Sequence, residues 1–219
     1  MIARLEERLR EPVNGLTHLG GAVIAAAGLA LLVVLAWGEP LRVASLTLYG
    51  IALIMMFAAS AAYHLARVGP RPALVLRKLD HAAIYILIAG SYTPVCLHFF
   101  GGFWRDGFLA IVWALAVIGI AVKVFVIRAP RWATAGIYLL MGWMSIAAIR
   151  EIVRTFPTGA LVWLVIGGLF YTAGAIVYIL KRPDPRPGRF GFHEIWHLFV
   201  IAGAFSHFVL MATYIAAAG

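Results

Sequence analysis

A few residues could do chemistry in a chain that otherwise carries little. Ser60 and His64 are four residues apart, His193 and His197 likewise, and Asp80 adjoins His81. On an α-helix, i, i+4 spacing puts two side chains on one face, with Cβ atoms about 5–6 Å apart. Two imidazoles so placed can share one metal ion. A third ligand from another element closes a three-ligand set with one open position, the arrangement of catalytic zinc. Residues 193–197 also read H-E-x-x-H, the zincin pattern, with Glu194 as general base. A metalloprotease is therefore one competing reading. The plainer one is that these histidines bond headgroups or loop carbonyls, and that Asp80 caps a helix.

The elements that must position these residues are membrane helices. Of the 219 residues 63% are apolar and 12% charged, and mean hydropathy is +0.95. A soluble domain has about 45–50% apolar and about 25% charged residues. One cysteine, Cys96, excludes a disulfide scaffold and reads as a small apolar filler. Seven stretches nearly free of charge follow: Val13–Gly38, Val43–Ala66, His81–Trp104, Gly107–Ile127, Trp132–Ile149, Thr155–Leu180 and Ile195–Gly219. Each can cross a bilayer about 30 Å thick as a helix. No stretch alternates as a membrane barrel strand does. The expectation is an all-α integral membrane protein: one seven-helix domain over residues 1–219, with no internal repeat.

The gaps are short, and GPRP at 69–72 and RPDPRP at 182–187 read as helix breakers. Lys123 lies inside the fourth stretch, near enough to its end to snorkel to the headgroups. The opening MIARLEERLREP lacks an early apolar run. It reads as a short surface helix over residues 1–12, with Ile2, Leu5 and Leu9 on one side, and not as a cleavable leader. Pro94 is expected to kink the third helix. Gly20, Gly21, Gly28, Gly167, Gly168 and Gly174 are expected to allow close packing.

The net charge of +9 does not indicate nucleic acid, because the basic residues sit in short gaps as topology signals. Arg4, Arg8, Arg10, Arg67, Arg71, Arg77, Lys78, Lys123, Arg128, Arg131, Lys181, Arg182, Arg186 and Arg189 fall on one side. Only Arg42, Arg105, Arg150 and Arg154 fall on the other. The positive-inside rule then puts the N-terminus in the cytoplasm and the C-terminus outside. That is opposite to a G-protein-coupled receptor. A retinal protein needs a lysine in its last helix, and the last lysine is Lys181. The same orientation brings Ser60, His64, Asp80, His193 and His197 to one leaflet. His18 could reach the rim of such a site. His98 belongs to the far end, and His207, about 15 Å deeper than His197, should bond a neighbouring helix.

S-A-A-Y-H at 60–64, K-L-D-H at 78–81, S-Y-T-P at 91–94 and the run from His193 to Phe208 resemble the progestin and adipoQ receptor family. With N-G-L-T-H-L-G-G at 14–21, the chain is most similar to the bacterial hemolysin III branch. The resemblance covers essentially the whole chain. It implies a zinc ion held by His64, His193 and His197, water positioned by Asp80, and Ser60 as a polar partner. It also implies kinship with alkaline ceramidases, which cleave lipid amides. The family's helix 7 pattern, H-x-x-x-H, does not require Glu194. Eukaryotic members are described as hormone receptors, and bacterial ones carry a haemolysin label and ties to membrane fluidity.

The expected function is therefore a zinc-dependent hydrolase of a lipid, most plausibly a lipid amide, in the bacterial cell (inner) membrane. Its partners would be membrane lipids, with a lipid amide or free fatty acid in the helix bundle. A non-enzymatic sensor of membrane state with structural zinc is the alternative. A pore is disfavoured, since so few buried charges offer no water path.

Overall fold

The computed structural model describes residues 9–126, 129–187 and 190–218. Among them, seven helices are long and apolar enough to cross a membrane. They are α1 (Pro12–Leu35), α2 (Pro40–Leu65), α3 (Pro70–Phe99), α4 (Gly102–Phe125), α5 (Arg131–Thr155), α6 (Thr158–Leu180) and α7 (Phe192–Ala216). The chain is a multi-pass membrane protein. Many large apolar side chains point outward, among them Ile24, Phe125 and Leu140, as a lipid-facing surface requires.

Proline marks most of the helix starts. Pro12, Pro40 and Pro70 occupy the first turn, where the missing N–H would be unsatisfied anyway. Pro130 and Pro157 immediately precede α5 and α6. This overturns one sequence expectation. GPRP at 69–72 does not break a helix but opens α3, which begins eleven residues before His81. Asp80 therefore lies three turns inside α3 and caps nothing. Arg105 and Asp106 likewise belong to α4, and Arg150 and Arg154 to α5. RPDPRP at 182–187 is a true interruption. Before it α6 ends on Lys181, in the left-handed conformation at φ 55°.

Two helices change pitch. α5 tightens into a 3-10 stretch over Trp143–Ala148, and α7 ends in a π turn over Ala212–Ala216. The Tyr92 hydroxyl on α3 serves the first of these. It donates to the carbonyls of Gly142 (2.7 Å) and Met141 (3.3 Å) and accepts from the Ser145 N–H (2.8 Å). α3 runs through Pro94 as one helix.

In the bundle α1 packs against α2 and α7, α2 against α3, α3 against α4, and α6 against α5 and α7. Between α3, α5, α6 and α7 lies a cavity of about 240 Å³. It runs from Ser60 and Asp80 at one end to Phe100 and Ile152 at the other. Most of the singled-out glycines meet a neighbouring side chain, for example Gly28 against Phe208 and Gly167 against His207. Gly20 does not; a Cβ there would meet open space. Lys123 does not snorkel. It is 3% exposed and turned inward, with Nζ donating to the Thr134 hydroxyl at 2.7 Å. The expected surface helix falls mostly outside the described residues, with Ile2, Leu5, Arg4 and Arg8; Arg128, Arg189 and Gly219 do too. Residues 9–11 are not helical. They lie along the end of α2, with the Glu11 N–H donating to the His64 carbonyl at 2.9 Å.

Candidate metal centre

His64 closes α2 and His193 opens α7, with His197 one turn further on. One ligand atom from each lies within 4.8 Å of the other two. The ring centroids are 4.8 Å apart for His64–His197 and His193–His197, and 5.1 Å for His64–His193. Three imidazoles bound tetrahedrally through nitrogens about 2.0–2.1 Å from one ion would have centroids about 5 Å apart. The nitrogens are also free to bind. His193 Nε2 is buried without a hydrogen-bond partner among the described residues. Both His197 nitrogens are buried outside hydrogen-bond geometry, the Asn14 carbonyl approaching without meeting it. Orphaned buried nitrogens are costly, and a metal ion accounts for all three rings at once. The residues fit a divalent metal ion that accepts nitrogen ligands.

A fourth residue supports them. Glu11 Oε2 lies 2.6 Å from His64 Nδ1, which leaves Nε2 as the nitrogen that His64 can offer a metal ion. Burial alone would raise the Glu11 pKa. The hydrogen bond from His64, with the His64 and Arg10 charges, outweighs burial and holds the carboxyl at about 2. Glu11 is thus an anion at neutral pH, and a carboxylate behind a ligating imidazole raises its basicity. Asn14 Nδ2 joins this carboxylate at 3.3 Å to Glu194 Oε1 at 2.8 Å. Glu194 Oε2 in turn accepts the Gly191 N–H at 2.8 Å, capping α7. Glu194 therefore has one oxygen on the helix start and the other on Asn14, an arrangement that holds α1 to α7.

Asp80 and Ser60 are neighbours that both line the near end of the cavity. The three clustered histidines do not themselves line it. His18 does, and its ring stacks on His197 at 3.8 Å and 20°. The sequence predicts His18 at the rim; the structure places it against the His197 ring, 2% exposed. His81 faces the cavity on the other side of Asp80, where its Nδ1 lies 3.2 Å from the Tyr138 hydroxyl. Arg131, which opens α5, lies over the rings of Tyr178 (5.3 Å) and Phe192 (5.2 Å). His98 stays at the far end, 2.9 Å from Ser45 Oγ. His207 reaches the Leu164 carbonyl on α6 at 3.4 Å.

Glu11 was missed from sequence because it was assigned to a surface helix. The available signal was a carboxylate directly before the first-turn proline of α1, at the membrane depth of His64.

Known proteins agree with this architecture. A family model described as haemolysin-III related matches residues 7–208. The chain is 32% identical to Hemolysin-3 of Bacillus cereus over 217 residues, covering 98% of this chain and 96% of that one. It is 31% identical to the Hemolysin-3 homolog of Bacillus subtilis (strain 168) over 206 residues, 93% of each. It is also similar to the adiponectin receptor protein of Drosophila melanogaster, 32% identical over 147 residues, 60% of this chain and 33% of that one. The match runs from before α1 into α7, and the chain belongs to the haemolysin-III-related family.

Proposed function

We propose that the protein is a zinc-dependent hydrolase of a lipid, with a lipid amide as the favoured substrate class. The observation that carries this reading is the placement of three clustered imidazoles near a Ser60–Asp80 pair at one end of an apolar cavity. His64, His193 and His197 would hold the ion. A bound zinc ion supplies Lewis acidity and brings the pKa of water at its open position to about 7. Ser60 stands beside Asp80, and Asp80 accepts the proton of the attacking water and returns it to the leaving nitrogen as the C–N bond breaks. The acyl chain lies along the apolar walls, which bring its carbonyl to the Asp80 end and exclude bulk water. Glu194, engaged at the α7 cap, is not the base.

The same reading places the protein in the bacterial cell membrane, the inner one where there are two. The site then lies in the cytoplasmic leaflet, as the distribution of Arg and Lys supports. A non-enzymatic sensor has one observation in its favour: the three histidines join α2 to α7, so a bound metal would pin two helices whether or not water is activated.

The test is hydrolysis of a panel of lipid amides and esters, with zinc content measured on each variant. Asp80→Asn should lower turnover about 10²–10⁴-fold, the usual size of a general-base contribution, with zinc retained. Glu194→Gln, which keeps an acceptor at the α7 cap, should leave turnover near wild type. Full activity in Asp80→Asn removes Asp80 as the base. Metal-loaded protein that turns over no lipid favours the sensor.

A further inference from the structure

The hydrolytic reading makes no use of Lys123. It sits on α4 inside a membrane-spanning helix, 3% exposed, and its single hydrogen-bond partner among the described residues is the neutral Thr134 hydroxyl on α5. An ammonium carries three N–H donors. Among the described residues no carboxylate pairs with it. The ionisable groups near it on α3 are the Arg77 guanidinium and the His81 imidazole, and neither supplies a negative charge. A buried charge without a counter-ion is costly, and inside a membrane a retained ionisable group marks a pathway or a ligand. This one adjoins the cavity, because Thr134 and His81 both line it, together with Tyr138.

We propose that Lys123, with Thr134 and His81, forms an anion subsite in the cavity wall. It takes the carboxylate or phosphate head of a single-chain amphiphile whose tail lies in the cavity. The subsite rests on the reading of the cavity as an acyl-chain site, though not on turnover. It is built from α3, α4 and α5, whereas the histidine cluster is built from α2 and α7. Lysine presents a point charge, so it suits either anion, while the apolar remainder of the cavity selects the chain.

The test uses the full chain in phosphatidylcholine nanodiscs. Binding of palmitate, palmitoyl lysophosphatidate and hexadecanol is measured directly. The three share a sixteen-carbon chain, and only hexadecanol lacks the charge. At least one anion should bind wild type about tenfold or more tightly than hexadecanol, as a hydrogen bond to a charged group provides. Palmitate ahead identifies a carboxylate subsite and lysophosphatidate ahead a phosphate one. Lys123→Met should abolish the preference while leaving hexadecanol affinity and metal content unchanged, and Lys123→Arg should keep it. Hexadecanol binding wild type as tightly as both anions overturns the subsite whatever the fate of the variants, and leaves the hydrolase reading standing. A preference that survives in folded Lys123→Met overturns it as well. If none of the three binds, the acyl-chain reading of the cavity fails, and the subsite fails with it.

Discussion

Removing the Glu11 carboxylate should weaken metal binding without touching a ligand. Glu11 meets His64 Nδ1 at 2.6 Å, and its other contacts are weaker: Asn14 Nδ2 at 3.3 Å and Arg10 Nε at 3.3 Å. Its main effect on the site therefore passes through one imidazole. Loss of such a partner costs about 10–100-fold in metal affinity. Glu11→Gln keeps an acceptor for the Nδ1 proton and loses only the charge, so about tenfold is expected. Glu11→Ala loses both and should approach 100-fold. At a fixed free zinc concentration well above the dissociation constants, a 100-fold loss cuts metal-induced stabilisation by about 2.7 kcal/mol. The assay is zinc competition against a chelator on purified protein, with thermal melts of the zinc-free and zinc-loaded forms. His193→Ala is the positive control and should lose most of the zinc. Arg10→Ala is the negative control. It removes an ion pair and a cation–π contact with Tyr63 at 4.1 Å but spares the Glu11–His64 bond, so affinity should change less than about fivefold. Wild-type affinity in Glu11→Ala, beside a metal-poor His193→Ala, would show that Glu11 merely tethers the segment before α1.

Two further outcomes are expected. A reporter after Gly219 should read as outside the cytoplasm and one in the loop at 66–69 as cytoplasmic; the reverse would move the site to the other leaflet. Tyr92→Phe should destabilise the fold by about 1–3 kcal/mol, because it strips a hydroxyl from two carbonyls and one N–H of the 3-10 stretch in α5. Chemical-denaturation curves check this, and a variant as stable as wild type would mean that water or lipid satisfies those groups.

The seven spans were legible because a membrane helix is written as an uninterrupted apolar run, and six of the seven expected stretches match a helix to within a few residues at most ends. The third failed at its start. Pro70 and Pro72 look like breakers, but a proline in a first turn breaks no hydrogen bond, and the charged residues Arg71, Arg77 and Lys78 ride on the first turns of α3. His64, His193 and His197 were legible because two of them share a helical face and the third lies at the same depth. Glu11 and Lys123 were not, since their roles depend on partners 53 and 11 residues away across helix seams. A span boundary predicts how deep a side chain lies but not whether it turns toward lipid or protein. That is why Lys123 was expected at the headgroups.

The placement of the cavity follows from how each seam is held. Between membrane helices there is no hydrophobic drive to close a gap, so backbones approach only where small residues permit or polar groups bind. The α6–α7 seam uses small residues: a Cβ at Gly167 would collide with His207, and one at Gly203 would press on Tyr171. There the helices sit close. α5 is fastened differently, by reaching side chains: Tyr92 to the 3-10 backbone, Tyr138 to His81, and Trp143 Nε1 to the Thr172 hydroxyl at 2.9 Å. Long polar tethers hold a helix at arm's length. The space they leave is the cavity, and its polar lining includes the tethering residues Tyr92, His81, Tyr138 and Trp143 as well as Asp80 and Ser60. The same substitutions that loosen α5 should therefore change what the cavity admits, while the α2–α7 histidine cluster, anchored from the other side by Glu11 and Asn14, keeps its geometry.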